Sequence, residues 1–311
     1  MEAYDCIILG GGPAGMTAAI YTSRSFIKTL VIAGNPSGGQ LLQTSDVENF
    51  PGFFQGISGP ELISNMRNQA EKFEAEFVDS NAIDISGSKE ENFKVKTDSG
   101  KEYEGRSIII ATGASARWLG LESEQKLRGK GVSACATCDG YFFRDKTVAV
   151  VGGGDSAMEE STFLTKFADK VYVLVRKSKD GLRASKIMQK KAFDKEKIQF
   201  MFNTEVLEIL GENKVSGLKV VNNQTKEENT LEDVEGLFLA IGHIPNTDFL
   251  RNFIELDHKG YIKVTEETKT TKPGVFAAGD VIDFKYRQAV TAAGMGCEAA
   301  IDVSRFLEEH A

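Results

Sequence analysis

The chain has 311 residues, enough for about two domains at ~150 residues each, and its 41% apolar and 26% charged residues are ordinary for a globular protein. With 37 Lys and Arg against 45 Asp and Glu, the net charge of −8 argues against a nucleic-acid backbone or an anionic membrane as a partner. No apolar run approaches the ~18 residues of a membrane span, the first residues lack the basic start of a signal peptide, and 4 cysteines make no disulfide scaffold, so a cytoplasmic protein is expected.

In chain order, Cys6-Ile7-Ile8-Leu9 is a short apolar run that ends in Gly10-Gly11-Gly12-Pro13-Ala14-Gly15. A helical stretch from Met16 to Ser25 follows, then a second strand, Thr29 to Ala33. Strand, glycine turn, helix and strand predict a βαβ unit. The pattern recurs once. Thr147 to Val151 leads into Gly152-Gly153-Gly154-Asp155-Ser156-Ala157, a helix to about Phe167, and a strand from Val171 to Val175. Each unit also has a later apolar strand closing in glycine: Ser107 to Gly113 in the first, with Ala111-Thr112-Gly113 at its end, and Leu237 to Gly242 in the second.

These strands predict crossings near Gly113 and Gly242, after which the chain returns to the first unit for Val275 to Asp280 and a final helix, Ala289 to about Leu307. The expected fold is α/β: two Rossmann-like dinucleotide-binding domains of three-layer ββα architecture, one inserted in the other. Residues 1–113 and 243–311 form the discontinuous domain and 114–242 the inserted one. Alternating segments such as Phe93 to Thr97 and Val215 to Asn222 predict small antiparallel sheets capping each unit.

A G-x-G-x-x-G loop between strand and helix lets backbone N–H groups approach a pyrophosphate at the helix N-terminus. Counting 24 residues from Gly152 reaches Arg176, directly after a strand, with Lys177 and Arg183 nearby. An NAD site usually places a carboxylate here to hold the ribose 2′-hydroxyl; these cations suit the 2′-phosphate of NADPH. The same count from Gly10 reaches Gly34, between Ala33 and Asn35, with no carboxylate. That weakens NAD binding and leaves room for a dinucleotide held through its pyrophosphate, such as FAD. Gly279-Asp280, closing a late strand, fits this, because the aspartate can hydrogen-bond a ribityl hydroxyl or the pyrophosphate region.

Cys135-Ala136-Thr137-Cys138 is the most specific short feature. Two thiols at this spacing can close a small-loop disulfide, and the spacing lowers the thiolate pKa. A competing zinc site needs four ligands, whereas Cys6 and Cys297 stand alone and the histidines are His243, His258 and His310. No metal is expected, and Cys6 and Cys297 are expected to be buried packing residues.

Together with Gly38-Gly39-Gln40-Leu41, Glu48-Asn49-Phe50-Pro51-Gly52, Ser133 to Gly140, Ala240 to His243 and Tyr286-Arg287-Gln288-Ala289, these motifs span essentially the whole chain. The set resembles the low-molecular-weight, bacterial-type thioredoxin reductases, class II pyridine nucleotide-disulfide oxidoreductases. The resemblance implies an FAD-containing homodimer that uses NADPH to reduce the disulfide of thioredoxin. It implies FAD contacts at the first glycine loop, Gly39, Gln40, Asn49, Ala111 to Gly113, Gly279, Asp280 and Arg287 to Ala289. It implies NADPH contacts at Gly152 to Ser156, Arg176, Lys177 and Arg183. Cys138 would lie nearest the flavin, Cys135 would exchange with thioredoxin, and Asp139 would protonate the leaving thiolate. Lys177 stands where arginine is common in the family, which keeps the charge but loses the guanidinium fork. The nearest rival is a reductase of another dithiol carrier, glutaredoxin-like or peroxiredoxin-linked. A flavin dithiol oxidase fits less well, since it needs no nicotinamide site, and a redox sensor without turnover leaves Cys-x-x-Cys-Asp unexplained.

Overall fold

The computed structural model describes residues 3–44 and 46–310. Its first strands are β1 (Ala3–Leu9), β2 (Thr29–Ile32), β3 (Glu76–Val78), β4 (Ala82–Ser88), β5 (Asn92–Thr97), β6 (Glu102–Ile110) and β7 (Ala114–Ala116), with helices α1 (Pro13–Arg24) and α2 (Gly59–Glu71). The middle of the chain carries α3 (Glu122–Leu127), β8 (Val132–Ser133), α4 (Ala136–Asp139), β9 (Thr147–Val151), α5 (Asp155–Leu164), β10 (Lys170–Val175), α6 (Lys186–Phe193) and β11 (Ile198–Phe202). There follow β12 (Thr204–Leu210), β13 (Gly217–Asn222), β14 (Glu228–Leu231), β15 (Val234–Leu239), β16 (His243–Pro245), β17 (Val264–Glu266), β18 (Lys269–Thr270), β19 (Val275–Ala277) and α7 (Ala289–Glu309). None of the described helices is long and apolar enough to cross a membrane.

The chain divides into two compact units, Met1–Ser115 with Ile244–Ala311, and Ala116–His243. The divisions fall one to two residues beyond the crossings expected at Gly113 and Gly242. Strands β7 and β16, which carry the two crossings, pair as a two-stranded sheet.

In the first unit, β3, β2, β1, β6 and β19 lie side by side and all parallel. The β1 run is apolar at successive positions because both faces of a covered parallel sheet are buried. Cys6 and Ile8 face a layer built from Ala14, Ala18 and Ala19 of α1 and Ala299, Ala300 and Val303 of α7. Ile7 and Leu9 face the opposite layer with Ile85, Phe93 and Val95 of the β4–β5 hairpin. The antiparallel hairpin is no separate cap: β5 pairs with the first half of β6, whose second half continues into the parallel sheet.

The second unit repeats the plan. Strands β11, β10, β9, β15 and β8 form a parallel sheet. Val148, Val150, Val171 and Val173 pack on Ala157, Met158 and Leu164 of α5. Ala149, Tyr172, Leu174 and Leu237 pack on Val206, Leu218, Val220 and Leu231 of a separate antiparallel sheet, β12–β13–β14. Cys6 is buried as expected, but Cys297 is only half-buried. Its position on α7 beside the Tyr21 hydroxyl of α1 leaves it at the edge of that helix pair rather than beneath it.

Candidate functional site

The first glycine loop is shaped by backbone crowding. Gly10 has φ +117°, and a Cβ there would lie 2.2 Å from the Ala111 carbonyl oxygen, so only glycine lets β1 turn against the end of β6. A Cβ on Gly15 would lie 1.8 Å from the Gly10 oxygen, which fixes α1 hard against the loop. On Gly12, by contrast, it would meet nothing within 4 Å. Helix α1 begins at Pro13, so the N–H groups of Ala14 and Gly15 are left outside its hydrogen-bond ladder. An open cradle with donors at a helix N-terminus fits a pyrophosphate.

The remaining flavin-side expectations converge on this loop within the first unit. A Cβ on Gly39 would lie 3.7 Å from the Gly12 Cα, and one on Gly279 2.9 Å from the Ala14 Cβ. The Gln40 side-chain amide donates to the Ala114 carbonyl at 2.7 Å and lies 3.5 Å from Asp280 Oδ2. Asn49 Nδ2 reaches Gln288 Oε1 at 3.5 Å. Thr112 Oγ1 donates to the Asn246 carbonyl, and Gly113 O accepts from the Asn246 N–H. Asp283 shapes the next loop by accepting N–H bonds from Lys285, Tyr286 and Arg287 at 2.8–2.9 Å. They hold Arg287 at φ +50° immediately before Gln288, the N-cap of α7, and Ala289. Burial, and secondarily the nearby Asp283 carboxylate, push the Asp280 carboxyl up to about 6, with Arg287 pulling the other way. A half-buried acid whose donor, Gln40, lies at the long distance of 3.5 Å can also accept from a ligand hydroxyl.

In the second unit, a Cβ on Gly152 would lie 2.4 Å from the Ala240 carbonyl, repeating the Gly10–Ala111 relation, and one on Gly154 would again meet nothing within 4 Å. The segment carrying Arg183 is strapped to this loop: the Arg183 and Ala184 N–H groups donate to the Gly153 carbonyl at 2.8 and 3.1 Å. Asp155 Oδ1 accepts from the Ser185 N–H at 2.7 Å. The backbone after β10 is fixed from the other side, since Asn223 donates to the Arg176 carbonyl and the Asn203 N–H to that of Lys177. Arg176, Lys177 and Arg183 are exposed. Ser156 follows Asp155 at the start of α5.

Cys135 and Cys138 form a disulfide with Cα atoms 5.3 Å apart. Cys135 is the N-cap of the short helix α4, and the Cys138 N–H donates to its Sγ at 3.2 Å. Such a donor favours thiolate character at Cys135 once the bond is reduced. Cys138 is exposed and Cys135 half-buried, so exposure here does not order the thiols as the resemblance implies. Burial raises the Asp139 carboxyl above its ordinary value, opposed by a hydrogen bond from Ser133 that favours the ionised form.

Residues 4–296 match the pyridine nucleotide-disulphide oxidoreductase family. The chain belongs to that family. It is 51% identical to the thioredoxin reductase of Streptomyces coelicolor, over 98% of this chain and 94% of that protein, and 49% identical to the one from Rickettsia conorii, over 97% and 98%. The crystal structure of thioredoxin reductase from Streptococcus pyogenes superposes with a TM-score of 0.92 at 41% identity, covering 99% of both chains.

Asp155, expected among the NADPH contacts, also ties down the strap that carries Arg183, a role that only the fold reveals. Two further features had no place among the expected site residues. Asp283 orders the loop before Arg287, although the run of turn residues offered no motif. Tyr141 and Phe142 follow the disulfide directly and expose 58% and 40% of their surface. Aromatic exposure next to a reactive pair is a signal that could have been read from the sequence only by proximity.

Proposed function

We propose that this protein is an NADPH-dependent flavoenzyme that reduces the disulfide of thioredoxin. The observation carrying this reading is the Cys135–Cys138 disulfide, followed by Asp139, in the same unit as a second glycine loop flanked by three exposed cations. The first unit, 1–113 with 243–311 by the expected bounds, would hold FAD through Gly10 to Gly15, Gly39, Gln40, Asn49, Ala111 to Gly113, Gly279, Asp280 and Arg287 to Ala289. The inserted unit would hold NADPH through Gly152 to Ser156, with Arg176, Lys177 and Arg183 at the 2′-phosphate. When bound, the flavin supplies two-electron transfer between nicotinamide and disulfide.

The chain's own part is thiol chemistry. Reduction of the Cys135–Cys138 bond takes up two electrons and two protons, leaving one thiol on each residue. The Cys135 thiolate then attacks one sulfur of the thioredoxin disulfide, giving a mixed disulfide and releasing the other sulfur as thiolate. Asp139 gives that leaving thiolate its proton. Cys138 attacks Cys135 Sγ, re-forms the internal disulfide and frees the second thioredoxin sulfur. The exposed Tyr141 and Phe142 offer an apolar surface beside the pair for the protein substrate. In keeping with the sequence resemblance, the enzyme is a cytoplasmic homodimer.

The test is an NADPH oxidation assay on the purified protein with and without thioredoxin, preceded by a visible spectrum. A flavin spectrum and thioredoxin-dependent oxidation of NADPH are expected. A colourless protein that consumes no NADPH would overturn the assignment.

A further inference from the structure

Residues 176–197 of the inserted unit carry nine lysines and arginines against three carboxylates, Asp180, Asp194 and Glu196, in a chain whose net charge is −8. Three of the nine are the cations read above at the 2′-phosphate. The other six, Lys179, Lys186, Lys190, Lys191, Lys195 and Lys197, are all exposed. None of the nine forms an ion pair among the described residues, although cations elsewhere in the unit do: Lys126 with Glu122, Lys170 with Asp233 and Lys219 with Glu208. Lys197 Nζ donates to the Ala168 carbonyl, Lys179 lies over the Phe193 ring, and Lys186 reaches Gln189 Oε1 only at 3.5 Å. The ammonium groups of Lys190, Lys191 and Lys195 have no partner among the described residues.

Helix α6 is built against its own electrostatics. Its first turn holds no acid and starts with Lys186, at the end where the helix dipole is positive. Lys190 follows four residues later on the same face, a like-charge spacing that opposes helix formation. The carboxylate bound at this end, that of Asp155, is engaged by the Ser185 N–H. That bond, with those from the Arg183 and Ala184 N–H groups to the Gly153 carbonyl, fixes the start of α6 beside the second glycine loop. Local rules broken together in one short helix point to a use for the charge.

Charge of one sign collected on a surface acts before contact, because it raises the encounter rate of an oppositely charged ligand. NADPH carries about two negative charges on its pyrophosphate and nearly two more on its 2′-phosphate, which NADH lacks. Resting on the coenzyme reading above, we propose that Lys186, Lys190 and Lys191 form an electrostatic approach surface that draws NADPH to the loop from Gly152 to Ser156. Their field, rather than any contact in the bound state, sets how fast the coenzyme arrives and adds to the discrimination against NADH.

The test neutralises the three lysines together, as Lys186→Gln, Lys190→Gln and Lys191→Gln, because glutamine keeps the helix propensity of lysine. Stopped-flow reduction of the flavin-loaded protein gives a second-order constant at low NADPH and a limiting rate at saturation. At about 0.01 M salt the second-order constant should fall about tenfold, at the low end of steering effects, while the limiting rate stays unchanged. At about 1 M salt, where charges act over only ~3 Å, the variant and the unaltered protein should coincide. With NADH the loss should be about threefold, since the energy scales with the ligand's charge. Calorimetric titration with NADP+, which donates no hydride, should weaken in the same salt-dependent way. The corresponding triple arginine variant should match the unaltered protein in both measurements. A loss that survives 1 M salt, an equal loss with NADH, or no loss at low salt would each overturn the proposal. The last is the outcome expected if the surface serves a nucleic acid instead. Failure of the unaltered protein to bind NADP+ or to be reduced by NADPH would overturn the proposed function, and this proposal with it.

Discussion

The Asp155 carboxylate accepts a hydrogen bond of 2.7 Å from the Ser185 N–H, thirty residues further along the chain. It joins the start of α5 to the start of α6, so the loop that would hold a pyrophosphate and the strap bearing Arg183 move as one piece. Phosphate recognition and loop order are therefore separable by mutation.

Arg176→Ala combined with Arg183→Ala should raise the KM for NADPH at least about tenfold, since each removes charge-assisted bonds to a phosphate. The KM for NADH should barely change, because NADH lacks the phosphate, and the flavin should stay bound. Asp155→Ala should instead raise both constants, as it loosens the shared loop. Steady-state kinetics with the two coenzymes distinguishes these outcomes, and equal losses with both in the double variant would refute the phosphate assignment.

Asp280 predicts a pH effect on the flavin-free protein. Its carboxyl is raised from 3.8 to about 6 by burial, so the folded state holds a proton that the unfolded chain releases. The contribution of this group to stability is then greatest below about pH 4 and is lost as pH rises to about 6, by roughly 3 kcal/mol. Asp280→Asn should abolish that slope and stabilise the flavin-free protein at pH 7, while weakening FAD binding. Urea melts at pH 5 and pH 7 with a flavin titration test both halves; a variant that is destabilised at pH 7 contradicts the assignment.

The two thiols should divide the labour. Cys138→Ser should trap a covalent complex with a thioredoxin lacking its resolving cysteine, whereas Cys135→Ser should not. Both should still accept hydride from NADPH yet fail to turn over, and Asp139→Asn should slow turnover by about 10²-fold. Trapping by Cys135→Ser alone, seen on a non-reducing gel, would reverse the roles, an outcome the greater exposure of Cys138 makes worth testing.

The coenzyme loop and the disulfide belong to one unit and the proposed flavin residues to the other, so on the proposed reading nicotinamide and disulfide would each need access to the same flavin. Turnover is expected to require rotation about the paired strands β7 and β16, on the microsecond-to-millisecond scale of hinge motions. A cross-link that fixes the two units should stop thioredoxin reduction. Unchanged turnover after complete cross-linking would show that no rotation is needed.

Tyr141→Ser with Phe142→Ser should raise the KM for thioredoxin several-fold and leave NADPH-driven reduction of a small dye unaltered. Loss of both activities together would point to damage of the unit rather than of its docking surface.

Much of this was legible because the chemistry demands local patterns. The strand–glycine–helix order at Gly10 and Gly152 and the thiol spacing of Cys135 and Cys138 are written in consecutive residues. Relations across space were not. Gly10 meets Ala111 and Gly152 meets Ala240 only once the sheets form. Asp283 looks like an ordinary loop residue until the three N–H groups it accepts from are seen, and the bond from Ser185 to Asp155 is equally invisible in the sequence. Element ends shifted for local reasons: α1 starts at Pro13 rather than Met16, because proline suits the first helical position, and α5 ends at Leu164, before the bend that returns Phe167 O to the Asp145 N–H. The β5 segment alternates as predicted, yet it extends the main sheet through β6, a choice that alternation cannot reveal.

The pairing of β6 with β19 joins Ile108 to Val275, residues 167 positions apart. On the ribosome, at about 5–20 residues per second, Ile108-Ile109-Ile110 would wait roughly 10–30 s for the strand that covers its edge. Meanwhile β8 to β15 lie wholly within the inserted unit, so the part of the enzyme made second can finish folding first. A nascent chain stalled after residue 243 would carry one complete unit and one apolar parallel sheet with a bare side, the kind of edge that recruits strands from neighbouring chains. Chaperone demand during synthesis should therefore rise with the first unit and fall only when the last 40 or so residues emerge.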